Sequence, residues 1–298
     1  GDNLYTNSAI ALDADSGKLK WHFQYTPNDP YDYDGVNENT LVTIEHKGKK
    51  REVMLHADRN GFGYALETKT GKFIWGEPFV DKLTWTEKLD KNGLPSAYDP
   101  KSDVQLYAPG TAPNRKTKVG ISCPGNMGGK NWPPTSYNPN LHLWYIPVIE
   151  SCNTMTVAET VPGTHKHRNW WTGGGPSQHE QIVGSVKAVN PNTGKVVAKY
   201  PMKYPNLGGT LATGGDLVFT SRPEGVLAAL DGKTLEELWA FNTGAGLNAP
   251  PMSFSVDGKQ YIAVLAGLGG AWPRWFVDGT TGLEKLNYGS SLYVFTLK

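Results

Sequence analysis

The stretch Ala65-Leu66-Glu67-Thr68-Lys69-Thr70-Gly71-Lys72-Phe73-Ile74-Trp75 decides the fold, because versions of it recur along the chain. Copies begin at Ala11, Ala65 and Ala188, and a less regular copy begins at Ala229. Each reads as a strand, a tight turn and a second strand, with glycine supplying the positive φ that the turn needs. A unit of roughly 40–55 residues with about four strands is typical of a β-propeller. The sequence therefore predicts an all-β propeller.

The intervals between copies set the expected organisation. The longest interval has room for a further unit with an insertion, and residues 136–146 read as a degenerate copy of the hairpin. We interpret residues 1–298 as a single propeller portion of about four blades. Residues 82–131 and 153–182 break the rhythm and are rich in Pro, Gly, Asn and Lys. They are expected to be long loops on one face, where propellers place their sites.

Aromatic residues end most of the copies. Trp21 and Trp75 close the first two, and Trp239 follows the fourth. A large aromatic ring at the same place in each unit is expected to pack between neighbouring blades and to be structural.

The composition supports this class and excludes others. The 298 residues include 35 Gly, 21 Pro, 10 Trp and 14 Tyr, and no long apolar helical pattern. The formal net charge of +1 argues against a nucleic-acid surface, and no apolar run approaches the length of a membrane span. The chain opens with Gly1 rather than Met, which suggests a processed or truncated start. No Cys-x-x-Cys-His motif for haem attachment is present.

The segment Tyr31-Asp32-Tyr33-Asp34-Gly35 carries the strongest chemical signal. Two carboxylates two residues apart in an extended segment point the same way, because side chains alternate with a period of two. Two such charges repel unless a cation lies between them or one of them is protonated. The alternative is an acidic turn with solvated carboxylates.

Several motifs together resemble the tryptophan-docked, pyrroloquinoline quinone (PQQ)-dependent alcohol dehydrogenases, over essentially the whole chain. They are the Trp-ending hairpins, the segment from Tyr31 to Gly35, Asp58-Arg59-Asn60-Gly61, and Gly208-Gly209-Thr210-Leu211-Ala212-Thr213-Gly214-Gly215-Asp216. The resemblance implies an eight-bladed propeller of roughly twice this length, of which the chain looks like the C-terminal half. The glutamate and asparagine that complete the metal shell of the family would then lie outside the chain.

The resemblance also implies roles for individual residues. Asp32 matches the catalytic aspartate and is a metal ligand. Asp34 matches a second aspartate found in lanthanide-dependent members. Cofactor contacts are implied for Arg59, which matches the basic residue at the quinone oxygens, for Asn131, and for the segment containing Gly270 and Trp272.

The implied activity is oxidation of a primary alcohol by hydride transfer to metal-bound PQQ, with Asp32 as the base. The implied metal is a lanthanide, with calcium as the alternative, because an extra carboxylate at Asp34 offsets the higher charge of a lanthanide. The alternatives to an enzyme are a non-catalytic propeller scaffold or assembly factor of the cell envelope, and a PQQ-binding protein without turnover.

The resemblance further implies a periplasmic location and three partners. They are a small alcohol substrate, a complementary propeller half or a second copy of the chain, and a periplasmic c-type cytochrome as electron acceptor. The residues alone leave Cys123 and Cys152 open as two buried thiols or a disulfide. The family resemblance implies the disulfide Cys123–Cys152.

Overall fold

The computed structural model describes residues 1–158, 174, 177–269, 285 and 287–297. These residues form eighteen strands and no α-helix. Within them, no helix is long and apolar enough to cross a membrane.

The strands, in chain order, are β1 (Ser8–Leu12), β2 (Leu19–Gln24), β3 (Asn39–His46), β4 (Lys49–Ala57), β5 (Phe62–Glu67), β6 (Phe73–Pro78), β7 (Val119–Ser122), β8 (Ser136–Asn138), β9 (Leu143–Thr156), β10 (Gln178–Val189), β11 (Val196–Met202), β12 (Thr210–Ala212), β13 (Leu217–Arg222), β14 (Val226–Asp231), β15 (Glu237–Asn242), β16 (Met252–Val256), β17 (Lys259–Ala266) and β18 (Ser291–Phe295).

The strands form five antiparallel sheets that follow one another along the chain, as expected of a propeller. A two-stranded sheet (β1–β2) comes first, then a four-stranded (β3–β6), a five-stranded (β7–β11), a four-stranded (β12–β15) and a three-stranded sheet (β16–β18). No pairing between described strands joins the first sheet to the last, so the sheets do not close into a ring. The all-β propeller prediction is confirmed.

The expected extra unit at residues 136–146 is wrong. Strand β8 and the start of β9 fall there, and β9 also pairs with β10, which carries the third copy of the repeat. Both hairpins therefore belong to one sheet. The long strand β9 joins them, because its 14 residues pair with β8 and β7 on one side and β10 on the other.

The two predicted loops are shorter than expected. Strand β7 lies inside the first one, and β9 and β10 extend into the second one from both sides. The β9–β10 pairing continues into the second segment as far as Gln178 opposite Thr154. The ends of this predicted loop are therefore paired strands. The remaining described part of the second segment contains only an isolated bridge between Val157 and Gly174.

The repeated turns hold the blades together. Gly71 and Gly194 have φ of 70° and 75°, in the left-handed region that favours glycine. The indole Nε1 of Trp21 donates to Thr68 O at 3.0 Å, and that of Trp75 donates to Pro191 O at 3.0 Å. Each ring thus reaches the turn of the following copy, and the structural prediction for both tryptophans is confirmed.

The fourth copy differs in its turn residue and in the burial of its tryptophan. Leu235 occupies the position of the turn glycine and has a φ of 60°. Trp239 remains 40% exposed and packs against Phe241 and Phe295, with ring centroids 6.2 and 5.3 Å away. Among the described residues Trp239 therefore lacks the burial that Trp75 has.

Candidate active site

The Asp32–Asp34 segment lies between β2 and β3 and is held by aromatic packing. The Tyr31 and Tyr33 rings are fully buried, stack on each other at 5.0 Å and pack against Trp85. The side chains of Asp32 and Asp34 are 65% and 67% exposed. The tyrosines are turned inward and both carboxylates outward, as predicted. The segment is not the predicted extended strand, however, because Asp32 has a φ of 64°.

Arg59 lies opposite both carboxylates, at the β4–β5 turn. Its guanidinium lies 3.6 Å from Asp32 Oδ2 and 3.7 Å from Asp34 Oδ1, and Nη1 donates to Asp34 O at 2.8 Å. The other terminal nitrogen donates to Asn126 O. The Arg59 side chain is nearly buried, so it is not the surface ion pair that a neighbouring Asp58 would suggest. Asp58 is itself fully buried.

Partial desolvation by the surrounding protein and a hydrogen bond with Asp34 raise the pKa of Asp32 to about 6, against the opposing effect of the Arg59 guanidinium. Two carboxylates close together favour protonation of one of them, as expected from the sequence. Because most of the Asp32 side chain is exposed, solvent screening makes this shift a poor measure of folding stability. Its consequence is chemical, because Asp32 holds a proton more readily than an ordinary aspartate.

Asp29 anchors this segment and was not singled out by the sequence reasoning. Its Oδ1 accepts from Tyr31 N at 2.9 Å and its Oδ2 accepts from Tyr33 N at 2.5 Å. Burial raises the pKa of Asp29 to about 7, although these two N–H groups favour the ionised form. The Asn28-Asp29-Pro30 sequence is a turn signal that identifies the bend but not the two contacts.

A second loop, residues 123–131, lies beside Arg59. The disulfide Cys123–Cys152 ties its start to β9, which confirms that prediction. Tyr33 Oη donates to Pro124 O at 2.7 Å, and Gly129 N donates to Arg59 O at 2.8 Å. A Cβ on Gly128 would lie 2.6 Å from the Arg59 side chain, so glycine permits this close approach.

Asn131 ends this loop and is buried. Its Oδ1 accepts from Trp132 N at 2.9 Å and its Nδ2 donates to Met127 O at 3.3 Å. These contacts organise the loop. The structure places Asn131 in the loop that contacts Arg59, and its cofactor role stays a prediction.

A buried ion pair connects loop 123–131 with the residues that follow Asp34, and it was not predicted from the sequence. Lys130 Nζ is fully buried and lies 2.9 Å from Glu38 Oε2, and Glu38 Oε1 accepts from Thr135 N at 2.5 Å. Burial by itself would raise the pKa of Glu38, but the Lys130 charge and the hydrogen bonds from Thr135 together lower it. No periodicity or spacing in the sequence pairs two residues so far apart.

The predicted cofactor residues Gly270 and Trp272 lie outside the described residues. Asp32, Asp34, Arg59 and the loop of Asn131 are thus the predicted site elements that the structure brings together.

The carboxylate oxygens of Asp32 and Asp34 could form part of a site for a hard cation. Asp32 and Asp34 present carboxylate oxygens to one side, and a cation with oxygen preference would offset their repulsion. Within residues 1–158, 177–269 and the other described positions, no group of three or more His, Cys, Asp and Glu side chains forms a metal site. The pair therefore supplies some of the oxygen ligands such an ion takes.

The site also retains a hydrogen-bond donor for an oxygen-rich ligand. Arg59 Nε is buried and has no hydrogen-bond partner among the described residues. A fixed guanidinium beside two carboxylates can stabilise negative charge on a ligand oxygen while a carboxylate takes a proton.

Comparison with known proteins identifies a family that the chain matches. Residues 1–84 and 172–262 match the family described as PQQ: glucose/ethanol/alcohol dehydrogenase, beta-propeller domain. The chain is 40% identical over 300 residues to the quinoprotein alcohol dehydrogenase PedH of Pseudomonas putida, covering 100% of this chain and 49% of PedH. It is 37% identical to the quinoprotein ethanol dehydrogenase of P. putida, covering 99% of this chain and 47% of that protein.

Solved structures give the same result. A quinohemoprotein alcohol dehydrogenase of P. putida superposes with a TM-score of 0.86 at 28% identity, over 100% of this chain and 44% of the other. A europium-containing methanol dehydrogenase superposes with a TM-score of 0.83 at 31% identity, over 100% of this chain and 54% of the other. The chain spans about half the length of the curated relatives it matches.

Proposed function

We propose that this chain, which belongs to the PQQ family of glucose, ethanol and alcohol dehydrogenases, carries the base and part of the cofactor site of a quinoprotein alcohol dehydrogenase. The observation that supports this most directly is the position of Asp32 and Asp34, both facing the guanidinium of Arg59 at 3.6 and 3.7 Å. A propeller scaffold has no need of two apposed carboxylates on a buried arginine.

PQQ, when bound, would supply the electrophilic carbon that accepts a hydride from a primary alcohol. In this arrangement Asp32 takes the proton of the alcohol hydroxyl. Arg59 binds cofactor oxygens and stabilises the negative charge that grows there. Asn131, Gly270 and Trp272 are proposed as further cofactor contacts, on the resemblance alone.

Asp32 and Asp34 would hold the metal. We favour a lanthanide, because the extra carboxylate of Asp34 matches the charge of a trivalent ion, whereas calcium leaves more repulsion between the two carboxylates. A europium-containing methanol dehydrogenase among the similar structures supports this choice. Calcium is the alternative.

The unpaired ends of the fold suggest a partner that completes the propeller. Among the described strands, the sheets at the two ends of the chain order have two and three strands, and Phe254 in the last of them is 41% exposed. Unpaired strand edges and exposed apolar side chains favour association. We propose a complementary propeller half, or a second copy of the chain, as that partner.

The location and the electron acceptor are proposed from the relatives. A periplasmic location agrees with the disulfide Cys123–Cys152, because disulfides persist in oxidising compartments. The quinohemoprotein relatives suggest a haem protein as electron acceptor, and we propose a periplasmic c-type cytochrome.

The test compares metals in the complete enzyme. Metal-stripped protein is given PQQ with either a lanthanide or calcium, and primary-alcohol oxidation is followed with a dye as electron acceptor. We expect Asp32→Asn to abolish turnover with both metals, and Asp34→Ala to reduce lanthanide activity far more than calcium activity. Asp15→Asn, in the exposed first turn, is the control that retains activity.

Each result has a defined meaning. Full calcium activity together with an unchanged lanthanide response in Asp34→Ala would show the metal assignment to be wrong. Turnover by Asp32→Asn would remove Asp32 as the base. PQQ binding with no oxidation of any alcohol would favour the non-catalytic alternative, and absence of PQQ binding would favour the scaffold.

A further inference from the structure

Asp29 makes two contacts that bracket Asp32. One oxygen accepts the N–H of Tyr31 at 2.9 Å and the other accepts the N–H of Tyr33 at 2.5 Å. The backbone N–H groups of the residues before and after Asp32 are therefore held by one carboxyl group.

The bracketed residue has an unfavourable backbone conformation. Asp32 has a φ of 64°, in the left-handed region that residues with a Cβ rarely adopt. The buried Tyr31 and Tyr33 rings hold the segment by packing, and the Asp29 contacts hold its backbone by hydrogen bonds. Together they leave both carboxylates, of Asp32 and Asp34, on the side of Arg59.

We propose that Asp29 is a positioning residue, which sets the affinity of the cation site by holding Asp32 and Asp34 on one side of their segment. This inference rests on the proposed function. Asp29 touches neither Arg59 nor the proposed ligands through its carboxyl, so it acts through the backbone of Tyr31 and Tyr33. Residues that orient metal ligands in this way typically contribute about 10–100-fold to metal affinity.

The chain offers a matched control for an ordinary turn aspartate. Asp90 accepts the N–H groups of Asn92 at 2.8 Å and Leu94 at 3.0 Å, two and four residues ahead as at Asp29, but both on Oδ1. Asp90→Ala is therefore the variant that removes both bonds. Its turn contains none of the proposed site residues. If Asp29 only stabilised its turn, substitutions at Asp29 and at Asp90 should change the apparent Kd for the metal to a similar extent. If Asp29 positions the ligands, only the Asp29 variants should change it.

Two variants of Asp29 separate position from charge. Asp29→Asn removes the negative charge of the ionised form and replaces one of the two accepting oxygens by an NH2 donor, so one of the two amides loses its present acceptor. Asp29→Glu keeps the charge but displaces the carboxyl by one methylene. If position matters, both variants weaken the site. If only the negative charge matters, Asp29→Glu binds a cation as tightly as the unchanged protein.

The experiment titrates terbium(III), as the probe, into the metal-stripped complete enzyme and into its Asp29→Asn, Asp29→Glu and Asp90→Ala variants. Luminescence sensitised by nearby Tyr and Trp rings gives the apparent Kd. We expect Kd to rise about tenfold or more in both Asp29 variants. We expect it to stay unchanged in Asp90→Ala. Amide exchange should accelerate at Tyr31 and Tyr33 in the Asp29 variants and not in the Asp90 variant.

The outcomes separate failure of the proposed metal site from failure of the Asp29 proposal. Failure of the unchanged complete enzyme to bind terbium overturns the proposed metal site and this inference with it. Binding by the unchanged complete enzyme, with equal Kd in Asp29→Asn, overturns the inference alone. Tight binding by Asp29→Glu beside weak binding by Asp29→Asn, or an equal loss in Asp90→Ala, also overturns it.

Discussion

Trp75 and Trp239 occupy the same place in their repeats and have different surroundings. Trp75 is 6% exposed and donates to Pro191 O in the turn of the next copy. Trp239 is 40% exposed and packs on Phe241 and Phe295 of its own and the following sheet. The sheet that receives Trp75 has five strands, whereas the sheet after Trp239 has three.

The difference shows that each repeat supplies only one of the two surfaces that meet between neighbouring blades. The tryptophan brings the ring, and the neighbouring turn brings a carbonyl and a glycine without a side chain. Trp75 meets both at residues 190–194, where a Cβ on Gly194 would lie 2.6 Å from its ring. A docking tryptophan therefore contributes fully only where the next unit presents its turn.

The largest effect is expected for Trp75→Ala. Removing a nearly buried indole leaves a cavity between two sheets and an unpaired carbonyl at Pro191. The cost should be about 3–5 kcal/mol of unfolding free energy. Urea unfolding followed by circular dichroism measures it. A loss below about 1 kcal/mol would show that the buried interface does not carry stability in the way inferred here.

Gly194→Ala should have the next largest effect. The new methyl group would meet the Trp75 ring, and the residue would keep a φ of 75°. Overpacking and backbone strain together should cost about 2–3 kcal/mol of unfolding free energy.

Gly17→Ala is the matched control for Gly194→Ala. Gly17 has a similar φ of 67°, and a Cβ at this position would meet nothing within 4 Å. Only the backbone cost of about 1 kcal/mol therefore remains. Equal losses in the two variants, measured by the same unfolding curves, would mean that contact with Trp75 contributes nothing.

Trp239→Ala should have the smallest effect on the chain by itself, about 1–2 kcal/mol, because its ring is partly solvated already. The same urea unfolding curves measure it. A loss as large as that of Trp75→Ala would show that the exposed fraction of the ring does not set its contribution.

The sequence predicted much of the candidate site but not its supports. Asp32, Asp34 and Arg59 stand in motifs whose residue types carry their chemistry, and the structure brings them together. Lys130 and Glu38 form a buried pair 2.9 Å apart from positions far separated in the chain. Such pairs depend on where two loops meet, and no local pattern records that.

The repeat and its strand-turn-strand units can be read from the sequence alone. They are local features, because turn chemistry and a side-chain period of two act over a few residues. Tertiary contacts set the left-handed backbone at Asp32, the pairing of residues 136–146 within the sheet of the third copy, the contact of Lys130 with Glu38 and the exposure of Trp239. Each of these depends on contacts between segments distant in the chain, and such contacts are set by how whole sheets pack.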